Sequence, residues 1–182
     1  MKNYKTLIIA VASLFAVILF IIFAVQSSGN KAISYEENVA TAQADVNAQL
    51  QRRYNVLNEL AECVKQYDNH EYNTLLSVIQ ARGSNMSDSE AEEVMAQINA
   101  VAEEYPELKA QENYKQFMTE ISTTENLIAQ YKSAYNNSIK SYNRYVRKFP
   151  SRIFLDLIGY EVQQYEYYST DKTDIEPIKL FD

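Results

Sequence analysis

His70-Glu71 is the pair in this sequence that most resembles the opening of a reaction site. A zinc-protease helix would carry a second imidazole four residues after the first, and that position is Thr74. His70 is the sole histidine of 182 residues. Two-imidazole metal sites are therefore excluded, and so is a bundle di-iron site built on two Glu-x-x-His units. Cys63 falls on the same helix face as His70 but ~10 Å away along the axis, too far for a thiolate–imidazolium pair unless the helix breaks between them. Three glycines cannot build a phosphate loop. The clusters Glu90-Glu92-Glu93 and Glu103-Glu104-Glu107 lack the spacing of a calcium loop and read as solvated acidic faces. No catalytic residue, cofactor or metal site is expected, and the chain is not expected to be an enzyme.

Two features survive that elimination. Glu125 lies between Ile121 and Ile128 on an inward helical stripe. A buried carboxylate needs a cation or hydrogen bonds, and Arg52, Arg53 and Lys132 are the candidates. Such a pair is expected to fix register rather than to act as a catalytic acid. The second feature is "YNNSIKSYNRY", where Tyr-Asn occurs twice, seven residues apart. On a helix this sets Tyr135 above Tyr142 and Asn136 above Asn143 on adjacent stripes. With Ile139 and Val146, the tyrosines are expected to pack inward as the seam of a bundle. The amides flank that seam and remain the part with scope for binding.

The elements that must position these residues are few and long, because Gly and Pro number three each. The first is apolar: LIIAVASLFAVILFIIFAV, Leu7 to Val25, is uninterrupted by charge and long enough to cross ~30 Å of hydrocarbon. A cleaved signal peptide has a shorter apolar region and small residues at its cleavage site, so an uncleaved anchor is expected. Lys2 and Lys5 before the span place the N-terminus in the cytoplasm and the body outside it. Beyond them the chain carries 15 basic and 24 acidic residues, a net charge of −9. Such a body should be repelled by nucleic acid and by anionic headgroups. Lone Cys63 forms no intrachain disulfide.

Ser34-Tyr35-Glu36-Glu37 has the form of a capping box and predicts a helix start near Ser34 after a linker. Apolar residues from Val46 to Val78 then recur at steps of three and four, and Gly83 ends the run. Ser87-Asp88-Ser89-Glu90 predicts a second capping box. The short helix that follows ends at Pro106, and a long one runs from Glu107 to Lys148, before Pro150. An apolar segment from Ile153 to Ile158 meets Gly159, and the remainder is expected to begin helical and then extend. Straight helices of ~73 Å and ~63 Å joined by one of ~25 Å would overshoot one another. A bend is therefore predicted at Asp68-Asn69-His70 or at Ser122-Thr123-Thr124.

The combination of "QLQRRYNVLNEL", "VKQYDNHE", "VIQAR", "YPELKAQENY" and "TTENLIAQYKSAYNNSIKSYNRYVRKFPS", with a weaker closing "IKLF", resembles the LemA family. The family pattern falls here on Arg52, Arg53, Glu125, Lys132, Tyr135, Asn136, Tyr142, Asn143, Phe149 and Pro150. Lys132 stands where the family usually has arginine, and it cannot make the same bidentate fork. The resemblance implies an all-α protein: an N-terminal transmembrane helix followed by an antiparallel bundle of about four long helices. The expected layout is a cytoplasmic segment at 1–6, a transmembrane helix at 7–25, a linker at 26–33, the bundle at 34–168 and a C-terminal tail at 169–182. It implies no catalytic activity. The expected role is that of a single-pass adaptor or scaffold of the bacterial inner membrane, with protein partners, the lipid bilayer through 7–25, a possible homo-oligomer and no nucleic acid. The alternative is an envelope sensor that holds a small ligand between helices through its Tyr and Asn groups.

Overall fold

The computed structural model describes residues 2–169, and all regular structure among them is helical. α1 spans Lys2–Val64, α2 Asn69–Arg82, α3 Asp88–Glu104, α4 Pro106–Ala110, α5 Glu112–Arg147 and α6 Ser151–Leu157, with a 3-10 turn at Gly83–Asn85. The all-α, long-helix expectation holds. Residues 170–182, with "IKLF" and most of the expected tail, lie outside the described residues.

The expected linker at 26–33 is corrected: α1 runs through it without a break. Once a helix is nucleated, each further residue adds a hydrogen bond, and one glycine costs only ~1 kcal/mol. Packing offsets that cost here, since Ser28 and Ala32 are buried. A Cβ on Gly29 would come within 3.0 Å of Ile158 Cδ1, so this glycine serves close approach rather than a turn. With no helix start at Ser34, the capping box expected there does not form.

Of the two predicted bends the structure takes the first. α1 stops at Val64, and Asp68 caps α2, its carboxylate accepting the N–H groups of His70 and Glu71 at 2.8 and 3.1 Å. Ser122–Thr124 stay inside unbroken α5. The Thr123 and Thr124 hydroxyls donate to the carbonyls of Thr119 and Glu120 one turn back, so their hydrogen-bonding capacity is absorbed within the helix. The capping box at Ser87 forms, with Glu90 returning the bond. Gly83 caps α2 at φ 58°, and Pro106 opens α4. Two details differ from expectation. The helix after Pro106 is interrupted at Gln111, whose backbone is extended and whose amide donates to Tyr67 Oη at 2.9 Å. Among the described residues nothing after Leu157 is helical, Gly159 turning the chain at φ 65°.

The chain forms two compact units, and α1 and α5 contribute residues to each. The central unit is residues 42–134, where the end of α1, α2, α3, α4 and the first part of α5 pack as a bundle. Its core includes Leu57, Leu60, Leu75, Ile79, Ile98 and Leu108, all fully buried. The terminal unit combines the described parts of 1–41 and 135–182, with Ala32, Val39, Ile139, Tyr142, Val146 and Leu155 buried. Its apolar stretch is the exception to burial. An 18-residue window there has mean hydropathy 3.2, and none of it is covered by protein.

Candidate functional site

The family-pattern residues gather in two places, one in each unit. In the central unit the focus is Arg53, whose side chain is 1% exposed. Helical spacing from Val46 and Leu57 places it on the core face of α1, where an unpaired guanidinium would be costly. Its Nη1 donates to Asp88 Oδ1 at 2.9 Å and to Glu125 Oε2 at 3.5 Å, and Nη2 donates to the Met86 carbonyl. Lys132 Nζ reaches both Asp88 oxygens, at 2.9 and 2.7 Å. One arginine thus joins α1 to the start of α3 and to α5.

The two carboxylates respond in opposite directions. For Asp88, burial raises the pKa, but the hydrogen bonds from Lys132 and Arg53 outweigh it and leave the group below its ordinary value. Its place in the first turn of α3 also suits a negative charge. For Glu125, burial dominates and pushes the pKa up, despite the attraction of Arg53. Of the cations proposed for Glu125, Arg53 is in hydrogen-bonding reach. Arg52 points elsewhere and pairs with Glu120 at 3.0 Å on an exposed face. Glu125 is also less enclosed than its spacing suggests, at 40% exposure, because Thr124 takes the fully buried position at that turn. Asp88 was missed by sequence reasoning, which read it only as filler in a capping box. Its signal was a charge imbalance: Arg53 and Lys132 on packed stripes with Glu125 as their only identified acid.

In the terminal unit the Tyr-Asn repeat holds an extended segment of its own chain. The Asn136 amide donates to the Tyr168 carbonyl at 2.8 Å, and its oxygen accepts the Tyr168 N–H at 3.0 Å. Asn143 donates to Tyr167 Oη at 3.3 Å. The rings of Tyr135 and Tyr142 meet those of Tyr168 and Tyr165 edge-on, at centroid separations of 5.2 and 5.3 Å. The heptad has a geometric reason. Seven helical residues rise about 10.5 Å, and three extended residues rise about 10 Å. Tyr135 and Tyr142 therefore match Tyr168 and Tyr165, running antiparallel.

A directed hydrogen-bond relay completes the clamp. Tyr160 donates to Glu36 at 2.5 Å, so toward Tyr142 it can only accept. Tyr142 then donates to Tyr160 at 3.1 Å and accepts the Gln163 N–H at 2.7 Å. Burial first, and the hydrogen bond to Glu36 second, push the Tyr160 pKa far up. Burial likewise raises Tyr135 and Tyr165. Tyr135 and Tyr142 pack inward as the spacing predicts; of the flanking amides, Asn136 binds backbone and Asn143 a tyrosine hydroxyl. Phe149 and Pro150 take no part: they form an exposed corner between α5 and α6, joined by a cis bond, with Phe149 at 74% exposure.

Fold and residue clusters together define an all-α protein with a long apolar N-terminal helix, held by one buried arginine and one tyrosine–asparagine clamp. A family model described as LemA family matches residues 42–180, and the chain belongs to that family. It is 27% identical over 151 residues to "Protein LemA" of Metamycoplasma hominis, an alignment covering 77% of this chain and 66% of that protein, just under two thirds of the relative's length.

Proposed function

We propose that this protein is a single-pass membrane-anchored adaptor or scaffold of the bacterial envelope, without catalytic activity. The observation that carries the reading is the uncovered apolar stretch of α1, which continues as the same helix into packed protein. A stretch of about 20 apolar residues with no protein over it matches a hydrocarbon core. Lys2 and Lys5 favour a body outside the cytoplasm.

Two further observations support a binding rather than a catalytic role. Buried Arg53 and the partly exposed Asp88, Glu125 and Lys132 pair across helices, an arrangement suited to holding a register. The Tyr hydroxyls and Asn amides that a ligand sensor would use are engaged by residues 160–168. Partners would then be other envelope proteins or copies of this chain, met through exposed helix faces. Crosslinking in intact cells should capture such proteins on the full chain. Recovery of monomer alone under mild conditions would overturn the adaptor reading.

A further inference from the structure

Charge is distributed very unevenly along the chain. Residues 1–35 and 126–155 contain no Asp or Glu, yet they hold nine of the 17 Lys and Arg residues. Much of that charge belongs to the terminal unit, and part of it lines one pocket. Lys31 and Tyr35 of α1, Arg144 and Tyr145 of α5, and Lys148 with the Phe149 corner that follows line about 310 Å³. Lys31 sits 5.7 Å from the Tyr145 ring centroid, and the Tyr35 ring meets that of Tyr145 at 5.1 Å, tilted by 37°. Among the described residues no carboxylate pairs with Lys31, Arg144 or Lys148.

The height of this pocket on α1 decides what it meets. Tyr145 Oη donates to the Ser28 carbonyl at 3.2 Å, and Ile158 packs against Gly29. Ser28 and Lys31 follow Val25 by about 4.5 and 9 Å of helix. The headgroup layer on each side of a bilayer core is roughly 5–8 Å deep. The pocket therefore opens at the outer edge of the headgroup layer, within side-chain reach of it, when residues 7–25 span the core. Large apolar side chains are exposed at the same place: Phe149 at 74%, Ile153 at 50% and Leu157 at 67%, the last two on one face of α6. Aromatic and aliphatic groups beside unpaired cations are what an anionic interface accommodates.

We propose that the α5–α6 corner is a second membrane contact, in which Lys31, Arg144 and Lys148 bind the phosphate of an anionic phospholipid while Phe149, Ile153 and Leu157 enter the interface. This rests on the anchor reading above. Of the acidic residues near the corner in sequence, Asp156 lies on α6 itself and Glu36 accepts from Tyr160, while most of the net charge of −9 comes from residues of the central unit, and surface fields act over a Debye length of about 8 Å. The contact tethers the terminal unit at two points and couples its clamp to the lipid composition of the membrane.

The chain has no tryptophan, so single-tryptophan reporters in the full-length protein read each contact separately. Leu19→Trp reports the span; Phe149→Trp and, in a second variant, Ile153→Trp report the corner. In vesicles with brominated phosphatidylglycerol all three should be quenched, whereas in brominated phosphatidylcholine only Leu19→Trp should be quenched strongly. Adding Lys31→Gln, Arg144→Gln and Lys148→Gln should abolish the phosphatidylglycerol preference of the corner, at about fivefold per cation, with Leu19→Trp unchanged. Free inorganic phosphate should leave that preference in place; its loss would make the pocket a site for soluble phosphate and overturn the lipid assignment. A quenched Leu19→Trp beside unquenched corner reporters would overturn the second contact and leave the anchor standing. An unquenched Leu19→Trp would overturn both.

Discussion

The central and terminal units solve one problem with different chemistry. Each must tie α5 to a neighbour that is far away in sequence. The central unit uses formal charge, with Arg53 between Asp88 and Glu125 and Lys132 completing the set. The terminal unit uses mainly neutral groups, with Asn136 and Tyr142 holding the backbone of residues 163–168 and Glu36 the one carboxylate in the relay. Charges give strength where desolvation is compensated and leave a large penalty where it is not. Amide and phenol bonds are individually modest and indifferent to salt. A tie that must hold a core suits the first kind, and a tie that holds an extended segment against a helix suits the second.

The sharpest way to break the comparison is Arg53→Met. It removes a fully buried guanidinium and leaves Asp88, Glu125 and the Met86 carbonyl without it. Loss of one partner of a buried pair costs about 3–5 kcal/mol, and the partial exposure of both carboxylates puts this case near 3 kcal/mol. Chemical denaturation followed by circular dichroism should show that loss. A change below about 1 kcal/mol would mean that water replaces the guanidinium freely.

The terminal unit should lose less, and lose it locally. Tyr142→Phe leaves the Gln163 N–H without its acceptor and Tyr160 without its donor, and Asn136→Ala removes both bonds to Tyr168. Each should cost about 1–2 kcal/mol. Hydrogen exchange should accelerate at Gln163 in the first variant and at Tyr168 in the second, with the amides of α2 and α3 unaffected. Equal acceleration throughout would show that the clamp supports the whole fold.

Titration should then separate the units at opposite ends of the pH scale. The Asp88 pKa is lowered on folding, so its stabilisation is full above the unfolded value near 3.9 and is lost as pH falls through the folded value. Glu125 has the opposite sign. Its raised pKa gives a stabilisation that is present below the unfolded value and disappears as pH rises through the folded one. Asp88→Asn should therefore flatten the rise of stability with pH in the acid limb, whereas Glu125→Gln should remove an opposing fall of stability with rising pH just above it. Tyr160 is also raised, so its contribution holds below the unfolded value of about 10 and fails in alkali. Phenolate absorbance should appear together with release of residues 160–168, and Tyr160→Phe should remove that alkaline coupling.

Much of the fold was legible because local rules act without competition. Gly83, Ser87 and Pro106 each mark a boundary with side-chain or backbone chemistry that needs no tertiary partner. Gln26–Ile33 misled because a linker-like composition, with two serines and a glycine, was overridden by packing: Gly29 is there for Ile158, 129 residues later. The same limit applies to the two sites. Spacing placed Tyr135 and Tyr142 inward and brought Glu125 towards a cation. Periodicity says nothing about which loop arrives opposite, so neither Asp88 nor the strand held by Asn136 could be read from the pattern.

Arg52 supplies the smallest effect and the control for the largest. It is the chain neighbour of Arg53, with the same side chain and also paired to a carboxylate of α5, at 3.0 Å from Glu120. The difference is water: Arg52 is 45% exposed and Glu120 31%, against 1% for Arg53. An exposed pair contributes about 0.2–1 kcal/mol and is screened by salt. Arg52→Ala should therefore shift stability by less than about 1 kcal/mol, and the shift should shrink further at high ionic strength. The Arg53→Met loss should persist to a greater extent in the same salt, because the guanidinium itself is buried and mobile ions reach its pairs only from the carboxylate side. If the two variants cost the same, burial is not what separates these adjacent arginines, and the contrast between the charged and the neutral tie loses its physical basis.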